Sequence, residues 1–295
     1  MRVFLTGGNG FIGRNLVEHL SSSMEIVAPG SRELDLTDQD AVERFVNTGD
    51  FDVVLHTATW NATANTPKDT MLVLEKNLIM FFNLARLHDR FGKMVYYGSG
   101  AEYDRRHYEP FMREDYFGRH IPVDQYGLSK YVMAKYTEGN VENIVDLRIF
   151  GCFGPYEDWE IRFISNATCK ALCGQPVTLR QNVFFDYIWV TDLVRMTEWA
   201  MKTRTKYKHY NACTGQHVDL LTLAHMINDV TGACVPIKVG KDGLKPEYSG
   251  DNSRIMSEMD SFNFTPLRKA LEMLMEYYEK NLSNIDRNCL LIDKE

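Results

Sequence analysis

The chain has no paired-cysteine motif, no run of basic residues and no long apolar stretch, and each gap removes a class of protein. Its six cysteines (Cys152, Cys169, Cys173, Cys213, Cys234, Cys289) form no C-x-x-C, and Cys169 and Cys173 stand one helical turn apart. That usage implies a reduced, cytoplasmic protein with buried thiols rather than a disulfide framework. There is no HExxH and no His/Cys ligand spacing, so no metal is expected. A formal net charge of −7 argues against nucleic acid as a partner, because binding to a polyphosphate depends on clustered Lys and Arg. It leaves open a small anionic substrate, which needs only a local cation. No apolar run approaches the length of a membrane span, so no membrane partner is expected. The opening Arg2-Val3-Phe4-Leu5 is too short for a secretory h-region. Without secretion, the glycosylation-like triplets at Asn61, Asn166, Asn263 and Asn281 are chance matches. Repeats and low-complexity linkers are missing as well.

What is present, 44% hydrophobic and 25% charged over 295 residues, suffices for a full α/β core plus a smaller lobe. The first thirteen residues say most. The short apolar run turns directly into Thr6-Gly7-Gly8-Asn9-Gly10-Phe11-Ile12-Gly13 and then into a helical pattern. Glycines at 7, 10 and 13 after a strand let bare backbone N–H groups approach a pyrophosphate at the helix N-terminus. Further strands are expected at 24–28, 52–57, 94–98 and 144–149, with helices at 11–21, 38–47, 71–91 and 125–139. That alternation predicts a doubly wound parallel sheet with its ligand at the strand C-terminal ends. After Pro155 it breaks. The expected division is 1–155 plus 185–206 for a Rossmann-type domain, with 185–204 returning to the main sheet. Residues 156–184 plus 207–295 then form a substrate lobe, with Ser283 to Glu295 as a loose tail.

A second motif lies downstream. Tyr126-Gly127-Leu128-Ser129-Lys130 puts Tyr and Lys four apart, on one face of a helix and one turn from each other. Upstream, the strand Met94-Val95-Tyr96-Tyr97 ends in Gly98-Ser99-Gly100-Ala101-Glu102-Tyr103. The ordered set of Gly loop, Ser at a strand end and Tyr-x-x-x-Lys suits hydride transfer to a ketone, whose oxygen must receive a proton. A free phenol, with a reference pKa near 10, exchanges its proton poorly at neutral pH, and a nearby cation favours the phenolate. Tyr126 is thus the candidate general acid, Lys130 the residue that tunes it, and Ser99 the donor that orients the carbonyl.

Together with Leu34-Asp35-Leu36-Thr37-Asp38, Asn77, Leu147-Arg148-Ile149-Phe150…Gly154-Pro155 and Asp186 to Asp192, these residues resemble the extended short-chain dehydrogenase/reductase (NAD-dependent epimerase/dehydratase) family, which modifies nucleotide sugars. The likeness covers most of the chain and is similar to the 4-ketoreductase branch near GDP-fucose synthase and dTDP-4-dehydrorhamnose reductase. It implies a dinucleotide held by Gly7, Gly10, Phe11, Ile12, Gly13, Thr57, Ala58, Tyr126 and Lys130, with Asp35 and Leu36 at the adenine. It implies that Lys130 also holds the nicotinamide ribose hydroxyls. It assigns Asn77 a supporting role behind the site, although a mid-helix Asn facing solvent is the alternative. His56 would pack beside the nicotinamide rather than serve as a base. The helices at 71–91 and 125–139, with apolar stripes Leu72, Leu78, Phe82, Leu84 and Leu128, Tyr131, Met133, Tyr136, would pair across a homodimer; alternatively both stripes cover the sheet.

NAD-preferring enzymes place an acid at the end of the second strand. Here Ile26-Val27-Ala28-Pro29-Gly30-Ser31-Arg32 has none. Ser31 and the Arg32 guanidinium can meet a 2′-phosphate, so NADP (as NADPH) is expected ahead of NAD; otherwise Arg32 is a solvated partner of Glu33. In the 4,6-dehydratases of this family an Asp-Glu pair follows the hydroxyl residue, where this chain has Gly100 and Ala101. The Cys and His of its epimerising reductases correspond to Ala101 and a place near Arg162. The expected reaction is therefore NADPH-dependent reduction of a 4-keto (deoxy)sugar nucleotide. The alternatives are an NAD-dependent nucleotide-sugar epimerase or dehydratase, and a reductase of a non-nucleotide ketone. The family's diphosphate-binding Asn and Arg are replaced by Gly151 and Phe185. Glu102, Tyr103, Arg162 and Arg180 are the candidate substrate residues, with Lys170 and Lys245 as further cations.

Overall fold

Alternating apolar residues in the first strand decide the layering. β1 (Arg2–Thr6) sends Val3 and Leu5 to one face and Phe4 to the other, all fully buried. The same alternation recurs in β3 (Val53–His56), β4 (Lys93–Ser99) and β5 (Ile144–Ile149), so the sheet is covered on both faces, as a parallel sheet must be. α1 (Phe11–Leu20) packs Leu16 and Leu20 against Val3, Leu5 and Val95. On the opposite face, α2 (Gln39–Gly49), α3 (Val73–Ala85) and α4 (Gln125–Asn140) bring Val42, Val46, Phe81, Leu84 and Met133 onto Phe4, Val54, Met94 and Ile144. β2 (Glu25–Val27) pairs beside β1. The computed structural model describes residues 1–61, 63 and 65–291, with Asn140 as backbone only.

Beyond β5 the chain makes β6 (Gly151–Phe153), α5 (Phe163–Leu172), β7 (Val177–Asn182), β8 (Phe184–Phe185), β9 (Tyr187–Trp189) and α6 (Val190–Lys202). It continues through β10 (His209–Ala212), β11 (Val218–Asp219), α7 (Leu220–Thr231), β12 (Ile237–Leu244), α8 (Ser253–Met256) and α9 (Leu267–Lys280). The main sheet has six parallel strands in the order β10-β5-β4-β3-β1-β2. Strand order reverses between β1 and β3, which opens the crevice where such sheets take their ligand.

Three boundaries differ from expectation. Residues 185–204 return to the main sheet through their helix only: α6 packs Leu193, Met196 and Ala200 with Val3, Leu5 and Val95, whereas β9 pairs with β6, and it is β10, from the segment assigned to the smaller lobe, that joins β5. Gly151 makes the β6–β9 pairing possible, since a Cβ there would sit 2.6 Å from the Asp186 carbonyl oxygen. The helix expected over 71–91 is an α-helix only at 73–85. A 3₁₀ turn capped by Asp69 precedes it, and another, His88–Arg90, follows. The tail is not loose as far as it is described: Ile285 and Leu290 are buried with Leu223, Ile227 and Leu274 in the core of the smaller lobe, while 292–295 lie outside the described residues. None of the cysteines is in a disulfide; Cys169 and Cys213 are buried and Cys234 is exposed. Among the described residues no helix is long and apolar enough to cross a membrane, and no three His, Cys, Asp or Glu side chains are grouped to hold a metal.

Candidate active site

The Gly loop is built by close approach. Gly7 takes φ +73°, and a Cβ on it would lie 2.8 Å from the Ala58 nitrogen and the Thr57 hydroxyl. A Cβ on Gly13 would meet the Gly7 carbonyl oxygen at 2.2 Å. These contacts pull the loop into the crevice between β1 and β3, where Thr57 Oγ1 donates to the Thr6 carbonyl at 2.7 Å. Gly10 is the N-cap of α1 and has no side chain to satisfy the first-turn N–H groups. Phe11, Ile12 and Gly13 therefore open a helix whose free donors suit a pyrophosphate. Such a cradle, closed to any Cβ and open to an anion, fits a dinucleotide.

The loop after β2 lies against this cradle, with Gly30 beside the Asn9 side chain and Ala28 beside Gly8. The Gly30 N–H donates to the Glu33 carboxylate at 2.6 Å, so Glu33 is engaged with its own turn. Ser31 and Arg32 are exposed, and Arg32 has no ion-pair partner among the described residues. Asp35 accepts from the Thr37 N–H and hydroxyl, both at 2.8 Å, and these bonds hold its pKa below the ordinary value. One of its oxygens is thus committed to the turn while the residue stays exposed. Leu36 is half-buried, its carbonyl tied to Asn83 at 2.9 Å. His56 is buried, bonded through Nδ1 to Thr6 Oγ1, and its pKa falls to about 3 through burial and the nearby Lys130 charge. It stays neutral, as the packing role requires.

Asp124 caps α4 by accepting from the Gly127 N–H at 2.8 Å, which sets Tyr126 in the first turn and Lys130 one turn on. Lys130 is buried and donates to the Tyr97 carbonyl at 2.7 Å, with its ammonium 5.8 Å from the Tyr126 ring centroid and 4.7 Å from that of Tyr96. β4 ends at Ser99, which starts a tight 3₁₀ turn (Gly100–Tyr103). The Ser99 hydroxyl accepts from the Ala101 N–H at 3.1 Å, while the Glu102 carboxylate accepts from the Ser99 N–H at 2.9 Å. Gly127 has no Cβ to keep α4 off this turn; one would sit 3.0 Å from the Ala101 carbonyl. Asn77 is buried rather than solvent-facing, and its side-chain oxygen accepts from the Trp60 N–H at 2.7 Å and the Thr59 hydroxyl at 3.2 Å. It fastens the segment after β3.

Two of the expected substrate residues are placed elsewhere. Glu102 is fully buried and holds the Arg148 guanidinium at 2.6 Å, with Asp146 on the same Nε at 3.1 Å. Tyr103 is equally buried, receives Arg148 at 3.1 Å and donates to Asn211 at 2.6 Å. The capping turn swings both side chains beneath the sheet end instead of into the cleft. Burial and mutual repulsion raise the pKa values of Glu102 and Asp146, and Arg148 opposes the rise. Arg162 is exposed at the head of α5 and Arg180 is exposed on β7. Lys170 is buried with its ammonium on Thr178. Arg105 is a further cation in this neighbourhood: desolvation lowers its pKa, but Tyr108, Asp124, Tyr248 and Tyr126 outweigh that and raise it.

Sequence reasoning missed Tyr108 and Tyr248. Tyr108 donates to the Gly100 carbonyl at 3.1 Å, and the Tyr248 hydroxyl lies 3.5 Å from Ser99 Oγ. Phe185 stacks on Tyr187 at 5.2 Å and meets Tyr248 edge-on at 5.6 Å, so the lobe facing Ser99 presents rings. Neither tyrosine belongs to a motif; both arrive through loops whose course only the folded chain reveals.

The model of a family described as "NAD dependent epimerase/dehydratase family" matches residues 3–213. A GDP-L-fucose synthase from Sinorhizobium fredii is 23% identical over 314 aligned positions, covering 97% of each chain. Among solved structures, a UDP-glucose 4-epimerase from Thermotoga maritima with UDP-glucose superposes with a TM-score of 0.82 at 21% identity, covering 96% of this chain and 100% of that one. A GDP-mannoheptose C4 reductase from Campylobacter jejuni with NADP bound gives 0.80 at 19% identity, covering 94% and 98%.

Proposed function

The chain belongs to the NAD dependent epimerase/dehydratase family, and from that membership we propose that it reduces the 4-keto group of a (deoxy)sugar nucleotide with NADPH. The observation that carries this reading is the turn after Ser99. Gly100 and Ala101 offer no acid or base, Glu102 is sealed in its pair with Arg148, and Asp104 at the end of the turn is held by Arg106. Among the described residues of that turn, none is free to take a proton from a sugar carbon, which elimination and epimerisation beside the ketone both require. Hydride and proton transfer at the carbonyl remains, and the acid-free loop at Ser31 and Arg32 favours reduction by an exchangeable NADPH over a 4-epimerase that retains NAD. A reduced nicotinamide held by the Gly loop and Lys130 would supply the hydride. Tyr126 gives its proton to the developing alkoxide, the Lys130 charge one turn away favours the phenolate left behind, and Ser99 orients the carbonyl oxygen. Asn77 holds the neighbouring segment in place from behind. The fucose synthase relative and the C4 reductase neighbour support the same class of substrate.

The replacement of the family's Asn and Arg by Gly151 and Phe185 bears on how the diphosphate is held. Gly151 follows from the β6–β9 contact, which leaves no room for a side chain, so its loss is a packing matter. Arg105, whose charge interacts with Tyr108, Asp124, Tyr248 and Tyr126, is the cation we assign to the substrate side of the cleft.

A turnover screen of NADPH against 4-keto sugar nucleotides of UDP, GDP, TDP and CDP tests the reaction: one of them should be reduced, and consumption of none would overturn it. The same preparation tests the cofactor. If Arg32 clamps a 2′-phosphate, Arg32→Ala should weaken NADPH about tenfold to a hundredfold, the scale of a charge-assisted hydrogen bond, and leave NADH almost unchanged. Screening at this exposed loop favours the lower figure. A 4-epimerase using NAD would show little response, and equal loss for both cofactors would assign Arg32 to the fold.

We also propose a homodimer through α3 and α4. Leu84 and Met133 cover the sheet, whereas Leu72, Leu78, Phe82, Leu128, Tyr131 and Tyr136 are half-buried, with Leu78, Phe82 and Tyr136 also packed against that core. Sedimentation at micromolar concentration should give a dimer, and only monomer would refute it.

A further inference from the structure

We propose that Tyr248 of the smaller lobe is a positioning residue for the reduction, donating its phenolic hydrogen to Ser99 and so turning the Ser99 hydroxyl toward the substrate carbonyl. The proposal rests on the reading above for the identity of the reaction, but its hydrogen-bond geometry can be tested without it.

Tyr248 is fixed from both sides of its backbone. Its N–H donates to the Phe184 carbonyl at 2.9 Å, and its carbonyl accepts from the Asp186 N–H at 3.0 Å. The ring is wedged between Phe150, 5.0 Å between centroids, and Tyr108, at 5.1 Å. That wedge aims the hydroxyl at the end of β4, 3.5 Å from Ser99 Oγ. Gly100 is an independent sign of the same approach: a Cβ there would lie 2.8 Å from the Tyr248 hydroxyl and 2.8 Å from the Phe150 ring. The place that a side chain would take beside the reacting hydroxyl is thus filled by a phenol from the other lobe.

Hydrogen accounting then gives the direction. A serine hydroxyl has one hydrogen and two lone pairs. The Ala101 N–H occupies one lone pair of Ser99. A phenol is the stronger acid of the two hydroxyls, so Tyr248 donates into the second, and the Ser99 hydrogen is left with the substrate oxygen as its acceptor. Tyr108 gives its own hydrogen to the Gly100 carbonyl and also bonds to Tyr248; of the two acceptors within reach, Ser99 and Tyr108, we assign the Tyr248 hydrogen to Ser99. Burial pushes the Tyr248 pKa up to about 12, so the phenol keeps its hydrogen through neutral pH. A separation of 3.5 Å is long for O–H···O, and catalytic hydrogen bonds of this kind shorten when the ligand complex forms.

Tyr248→Phe keeps the ring and its packing and removes only the donor. It should lower kcat about tenfold, the scale of one net hydrogen bond, with KM for the sugar nucleotide and affinity for NADPH within about twofold. The isotope effect from deuterated NADPH should rise, because the hydride step is the one slowed. In a Ser99→Ala background the same substitution should cost nothing more, since its effect passes through Ser99. A further tenfold loss in that background, or a wild-type kcat for Tyr248→Phe, would overturn the proposal. If no 4-keto sugar nucleotide is turned over, the assigned reaction fails and the geometry is read directly. In a crystal structure of the NADPH complex, a Tyr248–Ser99 separation at or below about 3 Å supports the proposal, and a phenol turned away from Ser99 overturns it.

Discussion

Tyr126→Phe should bind NADPH nearly as tightly as the wild type and lose at least about 10²-fold in turnover, the range of a missing general acid. The ring sits in the first turn of α4, so Phe preserves the packing and the cap at Asp124. What disappears is the phenolic proton offered to the developing alkoxide. Lys130→Met should differ in kind. Its ammonium holds the Tyr97 carbonyl and lies beside the Tyr126 ring, so both cofactor affinity and turnover should fall. Steady-state kinetics with parallel fluorescence titration of NADPH separates the two variants. Turnover like the wild type in Tyr126→Phe would remove Tyr126 from the mechanism.

The largest effect on stability should come from a residue that never touches substrate. Arg148 is fully buried between Glu102 and Asp146. Arg148→Met leaves two carboxyl groups without their counter-charge, and breaking a buried pair costs about 3–5 kcal/mol. For a chain of this size that is a fall of about 5–8 °C in Tm. The pH dependence has a definite sign. Burial and repulsion raise both carboxyl pKa values in the folded state. A group with a raised folded pKa binds its proton more tightly when folded, so its contribution is present below the unfolded value and lost as pH rises through the folded one. The deficit of Arg148→Met should therefore be larger at pH 8 than at pH 5. The triple variant Glu102→Gln, Asp146→Asn, Arg148→Met should recover much of the loss. Thermal unfolding followed by circular dichroism checks both, and an unchanged Tm in Arg148→Met would show that the pair contributes nothing net.

The legible parts of this protein were those set by local pattern. Val3, Phe4 and Leu5 alternate, Gly7 and Gly13 have backbone neighbours that exclude a Cβ, and Tyr126 and Lys130 share a helix face by spacing alone. What the sequence hid depends on distant partners. Glu102 follows Ser99 and resembles a cleft residue until Arg148, 46 positions later, draws it under the sheet. Tyr248 stands 149 positions from Ser99, in no motif, and only the Phe184–Asp186 ladder delivers it. The break in the helix at 71–91 was also beyond reading, because its apolar residues continue through segments that the structure winds as 3₁₀ turns. β10 escaped notice for a different reason: Tyr210, Asn211 and Ala212 are all buried, and Asn211 serves as a connector whose polarity disguised it.

That last strand governs the order in which the molecule can be completed during synthesis. Through residue 206 the emerging chain holds the Gly loop, Ser99, Tyr126 and Lys130, yet β5 has a partner on one side only. β10 is the outer neighbour that closes its backbone ladder, and Asn211 also receives the Tyr103 hydroxyl and donates to Glu114 and the Met112 carbonyl. Until the ribosome has released that strand, an unpaired edge lies open beside the buried charges of Glu102, Asp146 and Arg148. A product truncated before residue 209 would carry the whole catalytic set on a template that invites strand addition from other chains. The last third of the polypeptide thus supplies the outer strand that completes the sheet begun by the first half.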